Sequence, residues 1–133
     1  MAGAARPIAG KPEPAQVLTR AFLRAGEQLE VPRRVMARIV GVSEASLSRL
    51  AGGREIRPET KEGELALVFV RLFRSLDALL GGNVSQSREW FHAMNHHLSG
   101  RPVEMVQTAA GLIHVVDYLD AMRGSVSSPN ATG

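Results

Sequence analysis

The chain has 133 residues, of which 44% are apolar, which is enough for one core or for two small cores packed together. It contains no cysteine, which excludes disulfide frameworks and thiolate metal sites and favours a reducing cytoplasm as its location. The longest apolar run, residues 65–70, is too short to span a bilayer, and the first residues lack the apolar stretch of a secretory signal, so we expect no membrane association.

The charge is unevenly distributed along the chain. The formal net charge is +3, but residues 1–60 carry ten Lys and Arg against six Glu, whereas residues 61–133 carry six basic against seven acidic residues. The halves therefore carry +4 and −1. An excess of positive charge confined to one half is typical of a surface that meets a polyanion such as DNA.

The N-terminal half is expected to contain a flexible arm and three helices. Residues 1–13 are rich in Ala, Gly and Pro and have no apolar periodicity, which predicts a flexible arm. Apolar residues then recur at helical spacing over about residues 14–29, and Pro32 suits the first turn of a second helix that ends at Gly41. A third helix is expected from Ser43, a plausible N-cap, to the glycines that follow Ala51.

The C-terminal half is expected to be helical as well, and no segment of the chain has the alternation of a strand. The clearest periodicity predicts the longest helix over residues 58–80. Further helices are expected over residues 85–98, directly after Pro102, and over residues 109–122. Residues 125–133 are small and polar, which predicts a mobile tail.

Residues 33–52 have the side-chain pattern of a DNA-binding helix-turn-helix. Such a unit requires apolar residues at fixed places, a small residue where the two helices touch, and a turn glycine that adopts a positive φ. Ala37 is the small residue and Gly41 is the turn glycine. The apolar places are filled by Met36, Val40, Val42, Leu47 and Leu50.

The third helix of this half is the expected recognition helix. Its N-terminal residues would enter the major groove, because Leu47 and Leu50 must face the core. Arg49 is suited to guanine and Glu44 to cytosine, while basic residues beside the helix are suited to phosphates. The expected DNA contacts are Ser43, Glu44, Ala45, Ser48 and Arg49 on the helix, and Arg33, Arg34, Arg54 and Arg57 beside it.

A DNA-binding function has a structural alternative, because helix-turn-helix geometry is also a common packing unit and Arg49 is the one basic residue on the reading helix. A single unit usually binds DNA weakly, so a homodimer on a palindromic site is implied. The best dimer surface that the sequence offers is the set Phe69, Leu72, Phe73 and Leu76 on the longest helix, for which ordinary core packing is the alternative.

The C-terminal half carries a second pattern. A helix led by Trp90 precedes a Gly-x-Pro turn within residues 98–106, and then come a short apolar helix, Gly111 and a final helix that contains residues 116–119. This order and spacing resembles the toxin-binding domain of the Xre/MbcA/ParS antitoxins. Together with the helix-turn-helix half, the resemblance covers roughly residues 17–124.

The resemblance implies an all-α fold, in which an Xre-like helix-turn-helix bundle over residues 14–57 is joined by the long central helix to a small toxin-binding domain within residues 58–124. It implies a bacterial type II antitoxin that neutralises a RES-domain toxin. Such toxins degrade NAD or transfer its ADP-ribose to a protein, and the antitoxin blocks the NAD pocket. The activity would belong to the partner, so this chain would be no enzyme and would need no cofactor.

Several residues of the C-terminal half are candidates for toxin contact. Gly100 and Pro102 favour an exposed position for Arg101 at a turn, and Arg, Trp and Tyr are the residue types that dominate interface hot spots. A tail that reaches into the partner's cleft is the functional interpretation of residues 125–133, and an idle tail is the alternative. The expected toxin contacts are Trp90, Arg101, Tyr118, Arg123, Ser125 and Asn130.

Other functions stay open at this point. The first is a plain helix-turn-helix transcription regulator whose C-terminal half dimerises or binds a ligand, and the second is an antitoxin that does not bind DNA. An enzyme has little support, because the chain has no phosphate-binding glycine loop and no paired carboxylates. Glu89, His92 and His96 could share one helical face, but no fourth metal ligand accompanies them.

Overall fold

The computed structural model describes residues 13–127, and within that range it has seven helices and no strand, which confirms the all-α class. None of these helices is long and apolar enough to cross a membrane. The helices are α1 (Pro14–Gln28), α2 (Arg33–Val40), α3 (Glu44–Ala51), α4 (Lys61–Leu79), α5 (Val84–His92), α6 (Pro102–Met105) and α7 (Ala109–Ser127).

Local caps explain where the helices of the N-terminal half begin and end. Ser43 Oγ accepts a hydrogen bond from the Ser46 N–H at 3.0 Å, and Thr60 Oγ1 accepts one from the Gly63 N–H at 3.0 Å. Each such cap is worth about 1 kcal/mol to the helix that it starts. Gly41 ends α2 with φ of 76°, a left-handed conformation that glycine adopts without strain. The cap at Ser43 and the turn at Gly41 are confirmed.

Helix α4 lies at the centre of the molecule and packs against α1, α2, α5 and α7. Three fully buried rings join these layers: Phe69 on α4 meets Phe22 on α1 edge to face at 5.7 Å between ring centroids, and Phe91 on α5 at 6.3 Å. One core therefore serves both halves of the chain. The dimer surface expected on α4 is wrong, because Phe69, Leu72 and Leu76 are buried and Phe73 is partly buried against the same core.

The helix predicted over residues 85–98 is wrong beyond His92. The backbone of Asn95 and that of Gly100 exchange two hydrogen bonds, of 2.9 and 3.2 Å, which closes a tight turn between them. Asn95 Oδ1 also accepts a hydrogen bond from the Leu98 N–H, and Ser99 adopts φ of 60°. The turn buries Leu98 in the core. An apolar residue at this position is therefore compatible with the turn as well as with a helix, which is why the apolar spacing predicted a helix here.

Two segments at the ends of the chain were expected to be flexible. The arm expected over residues 1–13 lies outside the described residues except for Glu13. Helix α7 continues to Ser127, beyond the end expected at Met122, so the first residues of the expected tail have a helical backbone. The rest of that tail, with its candidate contact Asn130, lies outside the described residues.

Candidate nucleic-acid and partner interfaces

The face of α3 that was expected to read DNA is exposed. Leu47 and Leu50 are buried against the core and fix the rotation of α3, as the helix-turn-helix pattern requires. The five side chains expected in the groove all lie on the solvent side: Ser43, Glu44, Ala45, Ser48 and Arg49. A continuous polar helix face is thus available to a groove of DNA.

Two arginines are held against α3 by its serines. Arg33, in the first turn of α2, donates a hydrogen bond from Nη1 to Ser48 Oγ at 2.6 Å. Arg49 donates from Nη2 to Ser46 Oγ at 3.1 Å. Arg34 and Arg54 are exposed, and the Arg54 N–H bonds the carbonyl oxygen of Arg49, which closes the end of α3. The two serine contacts position the guanidinium groups of Arg33 and Arg49 beside the exposed helix face, where phosphates would lie.

The charges around this surface differ from the sequence-based expectation at two places. Arg57 is engaged by Glu59, with 2.8 Å between Nε and Oε2. A backbone hydrogen bond, followed by the one from Arg57, lowers the pKa of the Glu59 carboxyl, which keeps this pair charged. By contrast, Arg20 and Arg24 are exposed on α1 and line a groove of about 420 Å³ with Ala51, at the end of α3. Sequence reasoning missed both, although their spacing puts them on the polar face of α1.

The C-terminal half presents an aromatic cluster, formed by Trp90, His97 and Tyr118. The rings of Trp90 and Tyr118 stack with 6.4 Å between centroids and 14° between planes. His97 also stacks on Tyr118, at 6.1 Å and 23°. Trp90 and Tyr118 are partly buried against the core, so each has a packed side and an accessible side, and His97 is exposed. Sequence reasoning missed His97, because its position depends on the turn that follows α5.

The remaining candidate toxin contacts occupy other places. Arg101 is exposed at the start of α6, directly after the turn that carries His97, while Pro102 is buried beneath it. Arg123 donates a hydrogen bond to Ser75 Oγ at 3.2 Å and lines a groove between α4 and α7. At about 100° per residue, Arg123 lies about 140° around α7 from Tyr118. The structure therefore brings Trp90 and Tyr118 together and places Arg123 on another face.

The metal hypothesis for the histidines finds no support in the geometry. His92 is the last residue of α5, so His96 does not continue its helical face. The Nε2 atom of His92 lies 2.9 Å from the carbonyl oxygen of Leu29. Within residues 13–127 no group of three His, Asp or Glu side chains is arranged to hold a metal ion.

Polar contacts at two places connect the helix-turn-helix half to the C-terminal half. Arg88 on α5 donates from Nε to the carbonyl oxygen of Gln28 at 2.6 Å, and His92 adds its contact with Leu29, so α5 caps the C-terminus of α1. Arg38 on α2 donates from Nη1 to Gln107 Oε1 at 3.0 Å, beside α6. The two candidate interfaces are therefore linked through polar contacts as well as through the shared core.

The fold and the two exposed surfaces define a helix-turn-helix protein with an attached helical partner-binding domain. Comparison with protein families agrees: the Xre-like helix-turn-helix domain of antitoxins matches residues 9–71, and the C-terminal toxin-binding domain of the Xre/MbcA/ParS antitoxins matches residues 75–124. The chain belongs to the Xre family of antitoxins, whose domains are regulatory and not catalytic. A comparison with curated proteins gave no match. The two family matches meet inside α4, the helix that both halves share.

Proposed function

We propose that this chain is a cytoplasmic antitoxin that binds a RES-domain toxin and blocks its NAD pocket. The observation that carries the proposal is the accessible stack of Trp90 and Tyr118 in the domain that matches toxin-binding antitoxin domains. Aromatic side chains contribute large contact areas with few rotatable bonds, and they are enriched at interface hot spots. His97 belongs to the same cluster, and Arg101 is exposed directly after the turn that carries His97, so both offer groups that donate hydrogen bonds.

The test is co-expression with a RES-domain protein encoded by the adjacent gene. We expect a complex that survives purification, and the cellular NAD level should stay normal only while the antitoxin is present. Trp90→Ala and Tyr118→Ala should each weaken the complex by about 2 kcal/mol or more, which is about thirtyfold in Kd. Val17→Ala, at an apolar side chain that is 44% exposed on α1, is the matched control.

Failure of the wild-type chain to form any complex would remove the antitoxin role toward this toxin. A stand-alone regulator would then be the better hypothesis, provided that the chain still binds DNA. If a complex forms but neither aromatic substitution weakens it, the toxin role stands and the aromatic cluster is not the contact surface. Mass analysis of the complex gives the stoichiometry in the same experiment.

We further propose that a homodimer of this chain binds the operator of its own operon through α3. The positive charge of the N-terminal half and the exposed face of α3 support this, with Arg33, Arg34 and Arg54 as phosphate contacts. In a gel-shift assay with the chain's own promoter, Arg49→Ala should cost about 1 to 3 kcal/mol. Arg54→Ala should weaken binding to all sequences alike and reduce its dependence on salt.

Arg101→Ala is a reciprocal control for the DNA experiment. Arg101 is an exposed cation like Arg49, but it lies in the other half of the chain, so its loss should weaken toxin binding and leave operator binding unchanged. Arg49→Ala should show the opposite behaviour. A wild-type chain that shows no salt-sensitive shift with its own promoter would remove the DNA-binding proposal and leave the toxin proposal intact.

A further inference from the structure

Helix α4 has a narrow exposed stripe that no other part of the described chain covers. Its members recur every three or four residues and, at about 100° per residue, fall within an arc of about 80°. They are exposed even though α4 packs on four other helices, and Leu67, the second member, is 49% exposed. The α4 stripe consists of Glu64, Leu67, Arg71, Arg74 and Ala78.

The charges of the α4 stripe are arranged symmetrically about its centre. Glu64 and Arg74 lie equally far before and after Phe69, and the same holds for Leu67 and Arg71. Arg71 is already paired with Asp120 on α7. Glu64 and Arg74 form no ion pair with any residue of the chain between positions 13 and 127. One unused negative charge and one unused positive charge therefore stand at mirrored positions.

This arrangement is self-complementary. When two copies of such a stripe are laid antiparallel across a twofold axis, each Glu64 faces the partner's Arg74, and each Leu67 faces the partner's Arg71. The stem of Arg71 can cover Leu67 while its guanidinium group stays with Asp120. A uniformly acidic partner would repel Glu64, and a uniformly basic partner would repel Arg74. The charge pattern therefore favours a second copy of the chain over such ligands.

The surface beside the stripe can accept a helix. Between α4 and α7 runs an open groove of about 500 Å³, and its lining includes Leu67, Val68 and Val70 together with Arg74. A helix that lies along the stripe would cover the exposed Leu67 and the partly buried Val68 at the usual distance between helix axes of about 8–10 Å. Burial of exposed apolar area would then add to the two ion pairs.

We infer that two copies of this chain associate through an antiparallel pair of α4 helices, with Glu64 of each copy on the partner's Arg74. The inference rests on the homodimer proposed above and names the surface that forms it. The α4 stripe contains no residue of α3 and none of the aromatic cluster.

Charge reversal tests this interface sharply, because symmetry doubles each change. Glu64→Arg places two pairs of like charges across the interface, and so does Arg74→Glu. Each variant alone should dissociate about tenfold or more readily than the wild-type chain in analytical ultracentrifugation. An equimolar mixture of the two variants should form a dimer again, since both stripe charges of one variant are positive and both of the other are negative. Glu27→Arg, an exposed reversal on α1, is the control and should leave the wild-type dimer unchanged.

Circular dichroism melting of every variant checks that the helices are intact, and all substituted positions are exposed. If the wild-type chain and both single variants are dimeric, the α4 interface is wrong but the homodimer remains supported. The α4 interface is also wrong if the two variants are folded and their mixture does not form a dimer. A wild-type chain that is monomeric at every concentration would overturn both the interface and the homodimer.

Discussion

Arg88 Nε donates a hydrogen bond to the carbonyl oxygen of Gln28 at 2.6 Å, so α5 of the toxin-binding domain holds the last turn of α1 in the helix-turn-helix domain. His92 lies one turn further along α5 and approaches the carbonyl oxygen of Leu29. Trp90, a member of the proposed toxin contact surface, lies between these two residues in sequence. One short helix therefore carries both Trp90, of the proposed partner surface, and the junction with the helix-turn-helix half.

Arg88→Ala should destabilise the fold by about 1 to 2 kcal/mol, because it removes a charge-assisted hydrogen bond to a helix end that has few other partners. Urea unfolding at a fixed protein concentration measures this change. Glu30→Ala is the control: Glu30 Oε2 lies 3.5 Å from Arg88 Nη1, but the Glu30 side chain is 65% exposed, so its loss should change stability by less than about 1 kcal/mol. Equal losses for the two variants would contradict the role given to the Gln28 bond.

Toxin binding should change the affinity for the operator, because α5 contacts both the toxin surface and the end of α1. A coupling free energy of about 1 to 3 kcal/mol is usual for linked sites. Operator Kd measured with and without saturating toxin gives its size, and the Arg88→Ala variant should show a smaller change than the wild type. Equal operator affinity in the two wild-type measurements would exclude coupling.

Ser75 and Ser87 are equally buried, each with 1% of its surface exposed, but their substitution by alanine should have opposite effects. Ser75 Oγ donates to Asp120 at 3.0 Å and accepts from Arg123, so Ser75→Ala should cost about 1 to 2 kcal/mol. Ser87 Oγ is buried and has no hydrogen-bond partner among residues 13–127, so Ser87→Ala should raise stability by up to about 1 kcal/mol. The unfolding midpoints of the two variants test this prediction. A lower midpoint for Ser87→Ala than for the wild type would show that the Ser87 hydroxyl has a hydrogen-bond partner.

Two glycines of α7 make a similar contrast. A Cβ atom at Gly111 would lie 1.9 Å from the backbone oxygen of Met105, so Gly111→Ala must push α6 away from α7 and should cost about 2 to 3 kcal/mol. A Cβ atom at Gly124 meets nothing within 4 Å, and alanine there should stabilise the helix by about 0.5 to 1 kcal/mol. Thermal melting of both variants tests the pair, and a stable Gly111→Ala protein would contradict the close packing of α6 on α7.

Local signals in the sequence were sufficient for most of the helices. The N-cap at Ser43 and the left-handed glycine at Gly41 act within one turn of chain. The apolar spacing predicted a helix over residues 58–80, and α4 begins three residues later, at Lys61, and ends one residue earlier, at Leu79. The end of α5 was missed, because the turn between Asn95 and Gly100 uses backbone pairing and buries an apolar residue just as a helix would. Contacts distant in sequence, such as His97 on Tyr118, depend on that turn and have no local signature.

The surface roles were harder to predict than the helices, because an apolar residue is equally suited to a core and to an interface. Phe69 had the residue type of a dimer contact, yet it forms the centre of the core. Apolar periodicity could not reveal the α4 stripe, because most of its residues are charged. The buried face of α4 fixes the rotation of the helix, and this rotation determines which charged side chains are exposed side by side. Finding them therefore requires the packed structure.

The stacking of Tyr118 on both Trp90 and His97 has a thermodynamic consequence for the toxin binding proposed above. A flexible aromatic side chain loses rotamer entropy when a partner immobilises it, at a cost of about 0.5 to 1.5 kcal/mol per side chain. Here folding has already restricted the tyrosine ring before any partner arrives. The complex should therefore dissociate slowly for its contact area, since less of the contact free energy is offset by ordering of the antitoxin surface.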